Sequence, residues 1–359
     1  MTPNDFTFSA MNRRNMLRVS ATVIVAGIAL PVLAACSAEP TSTPAKTDTE
    51  DLLAAAKKEG KVSLYSSAST DPSNAIAEGF KAKYGIPVEV YRAGSSDIAT
   101  RVQSEEQARR TLADVLIIEE PALSLLIPYL AKYDSPARKD IDDQYKGDEY
   151  TLIRMYNSQI GWNSDLVKDD KQPKGWEDLL DPQWSGRLGS LDPHVTATTL
   201  AWQVLMVKEY GEDFLKKFGE NKPKLYASTN AMSQAIISGE IDLGVINSFG
   251  VVQMAQTGAP MVGIVPDKTV LYGGNVSVFS KAPNPNAARL FVDYACSAEG
   301  QTLINVTGAT IPTHPDATSD PKVGTLADLS KRTSFSQPDY KKIIAETETL
   351  LAEWDKYIK

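Results

Sequence analysis

The order of strand-like and helix-like segments limits the fold of this chain more than any other feature. From residue 50 onward, "KVSLYSS", "PVEVYRAGSS" and "ADVLIIEEP" predict three strands, and an amphipathic segment of helical length follows each of them. Three strands with two intervening helices in about 70 residues are typical of one doubly wound unit with mainly parallel strands.

The same order returns further along the chain. "RLGSLDPHVTATTLAWQVLMV", "KLYASTNAMSQAIISG" and "IDLGVINSFGVVQMAQ" each predict a strand, a polar turn and a helix. "YTLIRMYNSQIGWN" predicts a long extended connection between the two units, whereas "NVSVFSKAP" and one helix over "NPNAARLFVDYACSAEGQTLI" predict a return to the first. We therefore expect an α/β protein of two mainly parallel, doubly wound sheets.

The N-terminal segment has the pattern of an export signal. "NRRNMLR" places positive charge ahead of "VSATVIVAGIALPVLAA", an apolar run that is short for a membrane span and interrupted by glycine and proline. The run ends in Leu33-Ala34-Ala35-Cys36, which resembles the lipobox of bacterial lipoproteins, and Arg13-Arg14 resembles a twin-arginine signal. The resemblance implies that residues 1–35 are removed and that Cys36 is lipidated; the alternative is a signal anchor with a chance cysteine. Residues 36–49 are small, polar and proline-containing, which predicts a flexible tether.

Charge argues against nucleic acid as a partner. The chain has 37 basic and 45 acidic residues, a net charge of -8. Removal of residues 1–35 takes away three arginines and one aspartate and makes the net charge -10. This balance disfavours phosphate backbones and anionic lipid surfaces but leaves room for a local cationic pocket. Cys296 is the other cysteine of the chain, so no internal disulfide is predicted, and we interpret Cys296 as a small buried residue.

Small polar residues recur in the predicted turns that follow the strands, where α/β sheets bind ligands. Helix capping favours the same residue types, and the two uses are compatible. Their recurrence in both units favours a cleft that forms hydrogen bonds with a small polar ligand. The candidate ligand-binding residues of these turns are Ser67, Ala68, Ser95, Ser96, Glu119, Glu120, Thr196, Ala197, Thr198, Asn230, Asn247 and Ser248.

Catalytic machinery is hard to assemble from the residues present. Glu119 and Glu120 could serve as general acid and base, as metal ligands or as partners of a ligand ammonium, and alternation along a strand predicts that one of them faces the cleft. The histidines are His194 and His314, and no nucleophile-elbow motif is present. Gly273-Gly274 lies outside any phosphate-loop or dinucleotide motif. We therefore expect binding without catalysis, with no cofactor and no metal.

Several segments resemble the extracytoplasmic solute-binding proteins of ABC importers, in the branch that includes binders of ferric iron, phosphonates and other small organic ions. "GWEDLLDPQWSGRLGSLDP" (residues 175–193) is similar to the W-x-D-L-x-x-P-x-W-x-G-[KR] segment of that family, and "LYSSAS", "IGWNSDLV" and "SGEIDLGVIN" support it. The resemblance covers most of residues 58–316. It implies a two-lobed periplasmic-binding-protein fold of type II, with lobe 1 formed by residues 50–155 and 276–359 and lobe 2 by residues 156–275.

The resemblance also implies what the site holds. Ferric binders of the family supply two consecutive tyrosines, and the equivalent segment here is Asn247-Ser248-Phe249-Gly250, whose last two residues offer iron no anionic oxygen. By the same comparison, Thr196-Ala197-Thr198, Asn230 and Asn247 correspond to an anion-holding part. The crossover residues Arg154, Tyr156 and Tyr272 could add a charge-assisted hydrogen bond and an apolar wall, or Arg154 could pair with a structural acid.

Together these features predict a monomeric, lipid-anchored receptor outside the cytoplasm. It would capture a small organic anion or zwitterion, such as a phosphonate, a phosphate ester or a carboxylate, and deliver it to the membrane permease of an ABC importer. The alternatives are a receptor for ferric iron or another metal with ligands other than tyrosinate, an exported enzyme on the same scaffold, and a surface adhesin or signalling partner.

Overall fold

A computed structural model describes residues 49–331, 333–336 and 338–358. The predicted signal segment, Cys36 and residues 36–48 of the predicted tether lie outside the described residues. The remaining tether residue, Thr49, opens a helix instead of continuing a linker.

Strands and helices alternate as the sequence predicts. The strands are β1 Val62–Ser66, β2 Val88–Arg92, β3 Val115–Glu119, β4 Thr151–Asn163, β5 Leu188–Leu191, β6 Lys224–Tyr226, β7 Leu243–Asn247, β8 Met261–Ile264, β9 Lys268–Val278 and β10 Ser334–Ser336. The helices are α1 Thr49–Glu59, α2 Thr70–Tyr84, α3 Ser95–Gln107, α4 Glu120–Leu126, α5 Ala197–Tyr210, α6 Glu212–Glu220, α7 Thr229–Ser238, α8 Ser248–Gln256, α9 Pro285–Cys296, α10 Ala298–Gly308, α11 Leu326–Leu329, α12 Tyr340–Ala345 and α13 Thr347–Tyr357.

The first three strands form a parallel set in the order β2–β1–β3. Helix α2 connects β1 to β2 and illustrates how local sequence ends an element. It stops at Gly85, whose φ of 74° lies in the left-handed region that glycine adopts without strain, and the Gly85 N–H donates to the Lys81 carbonyl at 2.8 Å. Ser69 occupies the N-cap position, and Asp71 and Pro72 lie inside the first turn.

A second parallel set follows the order β6–β5–β7, with α5, α7 and α8 after β5, β6 and β7. The family-like segment before β5 forms short 3-10 turns at Trp176–Leu180 and Pro182–Trp184. Two indole groups hold this segment in place through hydrogen bonds. Trp176 Nε1 donates to the Lys268 carbonyl at 2.6 Å, and Trp184 Nε1 donates to the Asp178 carbonyl at 3.0 Å. The tryptophans of this segment are therefore structural.

Two long strands join the sets. Strand β9 pairs antiparallel with β3 and with β4, and β4 continues into an antiparallel pair with β7, which yields the order β2–β1–β3–β9–β4–β7–β5–β6. The predicted α/β class, with two parallel sets and two extended crossovers, is confirmed. The carboxyl ends of both sets thereby face a shared region, which the crossovers border.

The C-terminal helices pack on the second set of strands. The Trp354 ring of α13 lies 6.5 Å from Trp202 and 6.4 Å from Phe218, and Ile343 of α12 belongs to the same apolar cluster. These contacts favour grouping residues 340–358 with lobe 2, although the sequence assigned them to lobe 1. The lobe boundaries themselves stay a prediction.

The single helix predicted after the return crossover is wrong, since it is two helices, α9 and α10. Ser297 separates them in an extended conformation, with its hydroxyl accepting from the Gly300 N–H at 3.3 Å and donating to the Tyr294 carbonyl at 2.7 Å. A serine that satisfies both helix ends competes with helix continuation. The preceding Cys296 is fully buried, and burial raises the pKa of its thiol to about 12.

Candidate ligand-binding site

Glu119 and Arg154 approach each other across a glycine. Both stand opposite Gly274 of β9, Glu119 on β3 and Arg154 on β4. Arg154 Nη2 lies 3.9 Å from Glu119 Oε1. A Cβ atom on Gly274 would lie 2.7 Å from Arg154 Cγ, so the arginine stem occupies the space where another residue would carry a side chain. Gly274, to which the motif analysis assigned no role, lets these two charges meet.

The carboxylate of this pair is better satisfied than the guanidinium. Ser95 Oγ donates to Glu119 Oε2 at 3.1 Å, and Ser67 Oγ donates to the same oxygen. Arg154 Nε, in contrast, is buried without a hydrogen-bond partner. The side chains are 12% and 5% exposed for Glu119 and Arg154, so water screens the pair weakly.

Two other candidates of the first set lie apart from this pair. Ala68 is buried, and its carbonyl accepts from Arg92 Nε at 3.3 Å. Ser96 is exposed on the first turn of α3, where its carbonyl accepts from Thr100 Oγ1 at 2.9 Å. Both serve local structure here.

Glu120 is the first residue of α4 and has surroundings of its own. Burial raises the pKa of its carboxyl, and the amide of Asn275 opposes that rise in part, although its geometry falls short of a hydrogen bond. The adjacent carboxylates therefore have different environments, and Glu119 is the one that joins the predicted binding residues.

Tyr156 and Tyr272 form an aromatic wall beside Arg154. Their ring centroids are 5.3 Å apart, and the guanidinium carbon of Arg154 lies 5.5 Å from the Tyr156 centroid. Tyr272 Oη donates to the Thr198 carbonyl at 2.8 Å and lies 2.7 Å from Ser158 Oγ, from which it accepts. Burial raises the pKa of both phenols well above the ordinary value, so both are neutral at physiological pH.

The turn before α5 brings one further polar group to this wall. Ala197 is the first residue of α5, and the preceding Thr196 N–H donates to the Asp192 carbonyl at 2.8 Å. Thr198 Oγ1 is buried without a partner. Asn230, predicted to hold an anion, is exposed.

Asn247 and Ser248 have protein partners of their own. Asn247 Nδ2 donates to Thr229 Oγ1 at 3.1 Å, and Ser248 Oγ accepts from the Asn157 N–H at 3.2 Å. Ser248 and Asn157 line a cavity of about 630 Å³, on the face of β4 opposite Tyr156. Ser248 is therefore not brought together with Glu119 and Arg154, whereas Asn247 stands opposite Ser158, whose hydroxyl contacts Tyr272.

Phe249 and Gly250, which stand where ferric binders of the family carry two tyrosines, are packed tightly against neighbouring residues. The Phe249 ring meets Tyr156 edge-on, with centroids 5.2 Å apart and planes at 84°. A Cβ atom on Gly250 would lie 2.4 Å from Thr229 Cγ2 and 3.0 Å from Ser233 Oγ. A larger side chain at position 250 would require the α7–α8 packing to change.

Two neighbours of the site were missed by the sequence analysis. Gly273 and Gly274 are adjacent in β9, and paired glycines beside a strand are a signal for close approach, so Gly274 could have been found. Tyr340 of α12 packs in the same apolar cluster as Tyr156 and Tyr272. No local pattern distinguishes it, because its position depends on how the C-terminal segment folds back.

The histidines lie elsewhere. His194 Nδ1 is 2.9 Å from Asp192 Oδ1 and its Nε2 is 3.3 Å from Asp355 Oδ2, while His314 Nδ1 accepts from the Asp316 N–H at 3.1 Å. Over the described part of the chain, no three or more His, Cys, Asp or Glu side chains are grouped so as to hold a metal ion. In the same residues, no helix has the length and apolarity that crossing a membrane requires.

Two parallel α/β sets, two extended crossovers and a polar cluster where the strands end define the class of type II periplasmic binding proteins. Residues 75–330 match the family model described as bacterial extracellular solute-binding protein, and the chain belongs to this family. It is the solute-binding component of an ABC import system. Proteins of this kind act outside the cytoplasm, bind small ligands and interact with a permease.

The relatives of known sequence include ferric iron-binding proteins and a protein of uncharacterized function. The chain is 25% identical over 301 residues to the major ferric iron-binding protein of Neisseria meningitidis serogroup B, which covers 77% of this chain and 88% of the relative. It is 27% identical over 265 residues to an uncharacterized protein of Haemophilus influenzae, covering 69% of this chain and 76% of the relative.

Solved structures share the fold at lower identity. Iron-bound HitA from Pseudomonas aeruginosa has a TM-score of 0.70 and 23% identity, covering 83% of this chain and 99% of that one. AfuA from Actinobacillus pleuropneumoniae, with exogenous fructose-6-phosphate bound, has a TM-score of 0.73 and 24% identity, covering 83% and 98%.

Proposed function

We propose that this protein captures a small organic anion or zwitterion that carries a phosphonate, phosphate ester or carboxylate group. Arg154 would receive the anionic group, and Glu119 would accept from a ligand ammonium or hydroxyl group. The observation that carries the proposal is the guanidinium of Arg154, which is buried beside Glu119 and has no hydrogen-bond partner at Nε. A buried polar group without a partner costs about 1–3 kcal/mol, and more when it is charged.

A second unpaired group supports an anionic ligand. Thr198 Oγ1 is buried without a partner, and the Thr198 carbonyl accepts from the hydroxyl of Tyr272 in the aromatic wall. A ligand oxyanion between Arg154 and Thr198 would satisfy both donors, and Tyr156 would offer it an apolar face. Such an arrangement combines charge-assisted bonds with an apolar wall, as small-molecule sites commonly do.

Entry of the ligand requires the two lobes to separate, because Arg154 and Tyr156 are each 4% exposed. Lobe 1 would comprise residues 50–155 and 276–339, and lobe 2 residues 156–275 and 340–358. The crossovers β4 and β9 would be the hinge, since extended strands that absorb small dihedral changes suit hinge closure.

A thermal-shift screen tests the proposal. The purified protein is heated with inorganic phosphate, fructose 6-phosphate, 2-aminoethylphosphonate, citrate, putrescine or a ferric salt. We expect at least one of the organic anions to raise the melting temperature by several degrees at saturating concentration. Unchanged melting with all compounds, or a rise with putrescine alone, contradicts the proposal.

A matched pair of arginine variants then locates the site. Arg154→Lys keeps the charge but loses the planar donor fork, so affinity for the stabilising anion should fall about tenfold or more in calorimetry. Arg187→Lys is the control, because Arg187 pairs with Asp242 and is 41% exposed. Equal affinities of the two variants would rule out Arg154 as the anion-binding group.

A receptor for ferric iron is the second candidate, favoured by the named ligand of the neisserial relative. Glu119 would be a carboxylate ligand together with a chelating small molecule, since burial keeps the pKa of Tyr156 and Tyr272 high. Ferric citrate should then produce a new absorbance band that Glu119→Gln abolishes. No spectral change on addition of ferric citrate contradicts this candidate.

We further propose that the mature protein is a non-enzymatic monomer tethered to the membrane by a lipid on Cys36. Cys36→Ser should then move the protein from the membrane fraction to the soluble fraction of expressing cells, and any captured ligand should be recovered chemically unchanged. Membrane association that survives the substitution contradicts the anchor.

A further inference from the structure

Helix α12 lies between elements of both halves of the protein. It packs against α4, which follows Glu119, and against α5, which begins with Ala197. Its Ile343 side chain is buried in the apolar cluster of the second set of strands. The C-terminal segment thus spans the region in which the candidate binding residues of the two halves meet.

Tyr340, the first residue of α12, brings a hydroxyl group to this region. The ring packs against the apolar cluster that includes Tyr156 and Tyr272, and the hydroxyl oxygen is buried without a hydrogen-bond partner. Burial raises its pKa well above the ordinary value, with smaller contributions from Tyr272, Tyr156, Glu120 and Glu119, in that order. The phenol is therefore a neutral donor at physiological pH.

Tyr272 provides the contrast. Its hydroxyl lies in the same cluster but is satisfied on both sides, by the Thr198 carbonyl at 2.8 Å and by Ser158 Oγ at 2.7 Å. Phenylalanine would fill the same space without a hydroxyl group, and an unpaired buried hydroxyl group is unfavourable. Packing alone therefore gives no reason for a tyrosine at position 340. The hydroxyl of Tyr340 consequently has no role in the described contacts of the protein, while its surroundings are those of the proposed binding site.

We infer that Tyr340 is a ligand-contacting residue whose hydroxyl donates a hydrogen bond to the solute held by Arg154. This inference rests on the proposed function and deepens it: the C-terminal segment supplies part of the specificity of the site. The chemistry that Tyr340 recognises is an oxygen acceptor, such as a phosphate, phosphonate or carboxylate oxygen, and Arg154 supplies the matching charge.

Tyr340→Phe separates this role from a packing role, since the two predict opposite results. Removal of an unpaired buried hydroxyl should leave the melting temperature of the ligand-free protein unchanged or raise it. Affinity for the stabilising probe, fructose 6-phosphate, inorganic phosphate or 2-aminoethylphosphonate, should fall about tenfold or more by calorimetry. Tyr272→Phe should lower the melting temperature without ligand, because it leaves the Thr198 carbonyl without its donor.

Tyr226→Phe is the control outside the site. The Tyr226 hydroxyl donates to Glu240 Oε1 at 2.9 Å on the surface, so probe affinity should not change. Wild-type affinity in Tyr340→Phe overturns the inference, as does a loss of ligand-free stability equal to that of Tyr272→Phe. Failure of the wild-type protein to bind any probe overturns the proposed function as well, which distinguishes the two failures.

Discussion

Arg154 Nη2 and Glu119 Oε1 are 3.9 Å apart, and the two side chains meet over Gly274 in the strand between them. The separation is that of an ion pair without a direct hydrogen bond. The attraction within a buried pair of this kind offsets the desolvation penalty of the two charges only when the geometry is good and further hydrogen bonds are present. Glu119 accepts such hydrogen bonds from the hydroxyl groups of Ser67 and Ser95. Arg154 Nε has no acceptor, so its N–H group is available to a bound solute.

Gly274→Ala should disrupt this arrangement. The new Cβ would lie 2.7 Å from Arg154 Cγ, so the arginine must move, and we expect the affinity for the stabilising anion to fall about tenfold or more. Calorimetric titration of the variant measures the effect. Gly175→Ala is the matched control, because φ is -159° and no heavy atom lies within 4 Å of the added Cβ. Unchanged affinity in Gly274→Ala would show that the position tolerates a side chain.

Gly250→Ala should destabilise the protein by about 1–3 kcal/mol through overpacking. The added Cβ would approach Thr229 Cγ2 to 2.4 Å at the contact between α7 and α8. Urea unfolding of the variant beside Gly175→Ala measures the difference. A stable Gly250→Ala protein would mean that this contact relaxes to admit a Cβ atom.

His194 should make stability depend on pH. The hydrogen bond with Asp192 and the charge of Asp355 raise the pKa of His194, so the folded state binds the proton more tightly than the unfolded state does. The stabilisation is complete below the unfolded pKa of about 6.5 and is lost as pH rises through the folded pKa. It is modest, because the imidazole is 45% exposed.

Melting temperatures of the wild type and His194→Gln over a pH series measure this contribution. The wild-type advantage should be present near pH 6, fade as pH rises through the folded pKa of His194, and shrink in high salt. A constant difference at all pH values contradicts the assignment.

Trp354→Ala should cost about 3–5 kcal/mol, since it removes a fully buried indole from the cluster with Trp202 and Phe218. Denaturant unfolding measures the loss. Leu166→Ala serves as the surface control, because Leu166 is 46% exposed. A small loss in Trp354→Ala would mean that α13 contributes little to the second half of the protein.

Local sequence determined the strands of the two parallel sets, the helices that follow them and the fold class, because hydrophobic period and turn residues act over a few positions. It failed at Ser297, where a helix breaks in favour of capping bonds that a continuous helical pattern conceals.

The arrangement of the candidate site was decided by tertiary structure. The meeting of Arg154 with Glu119 depends on the register of three strands, which places Gly274 between them. The position of Tyr340 depends on the C-terminal segment returning to pack on α4 and α5. Long-range strand register and the docking of a distant helix are set by the burial of the whole core, and a single sequence records neither in any local pattern.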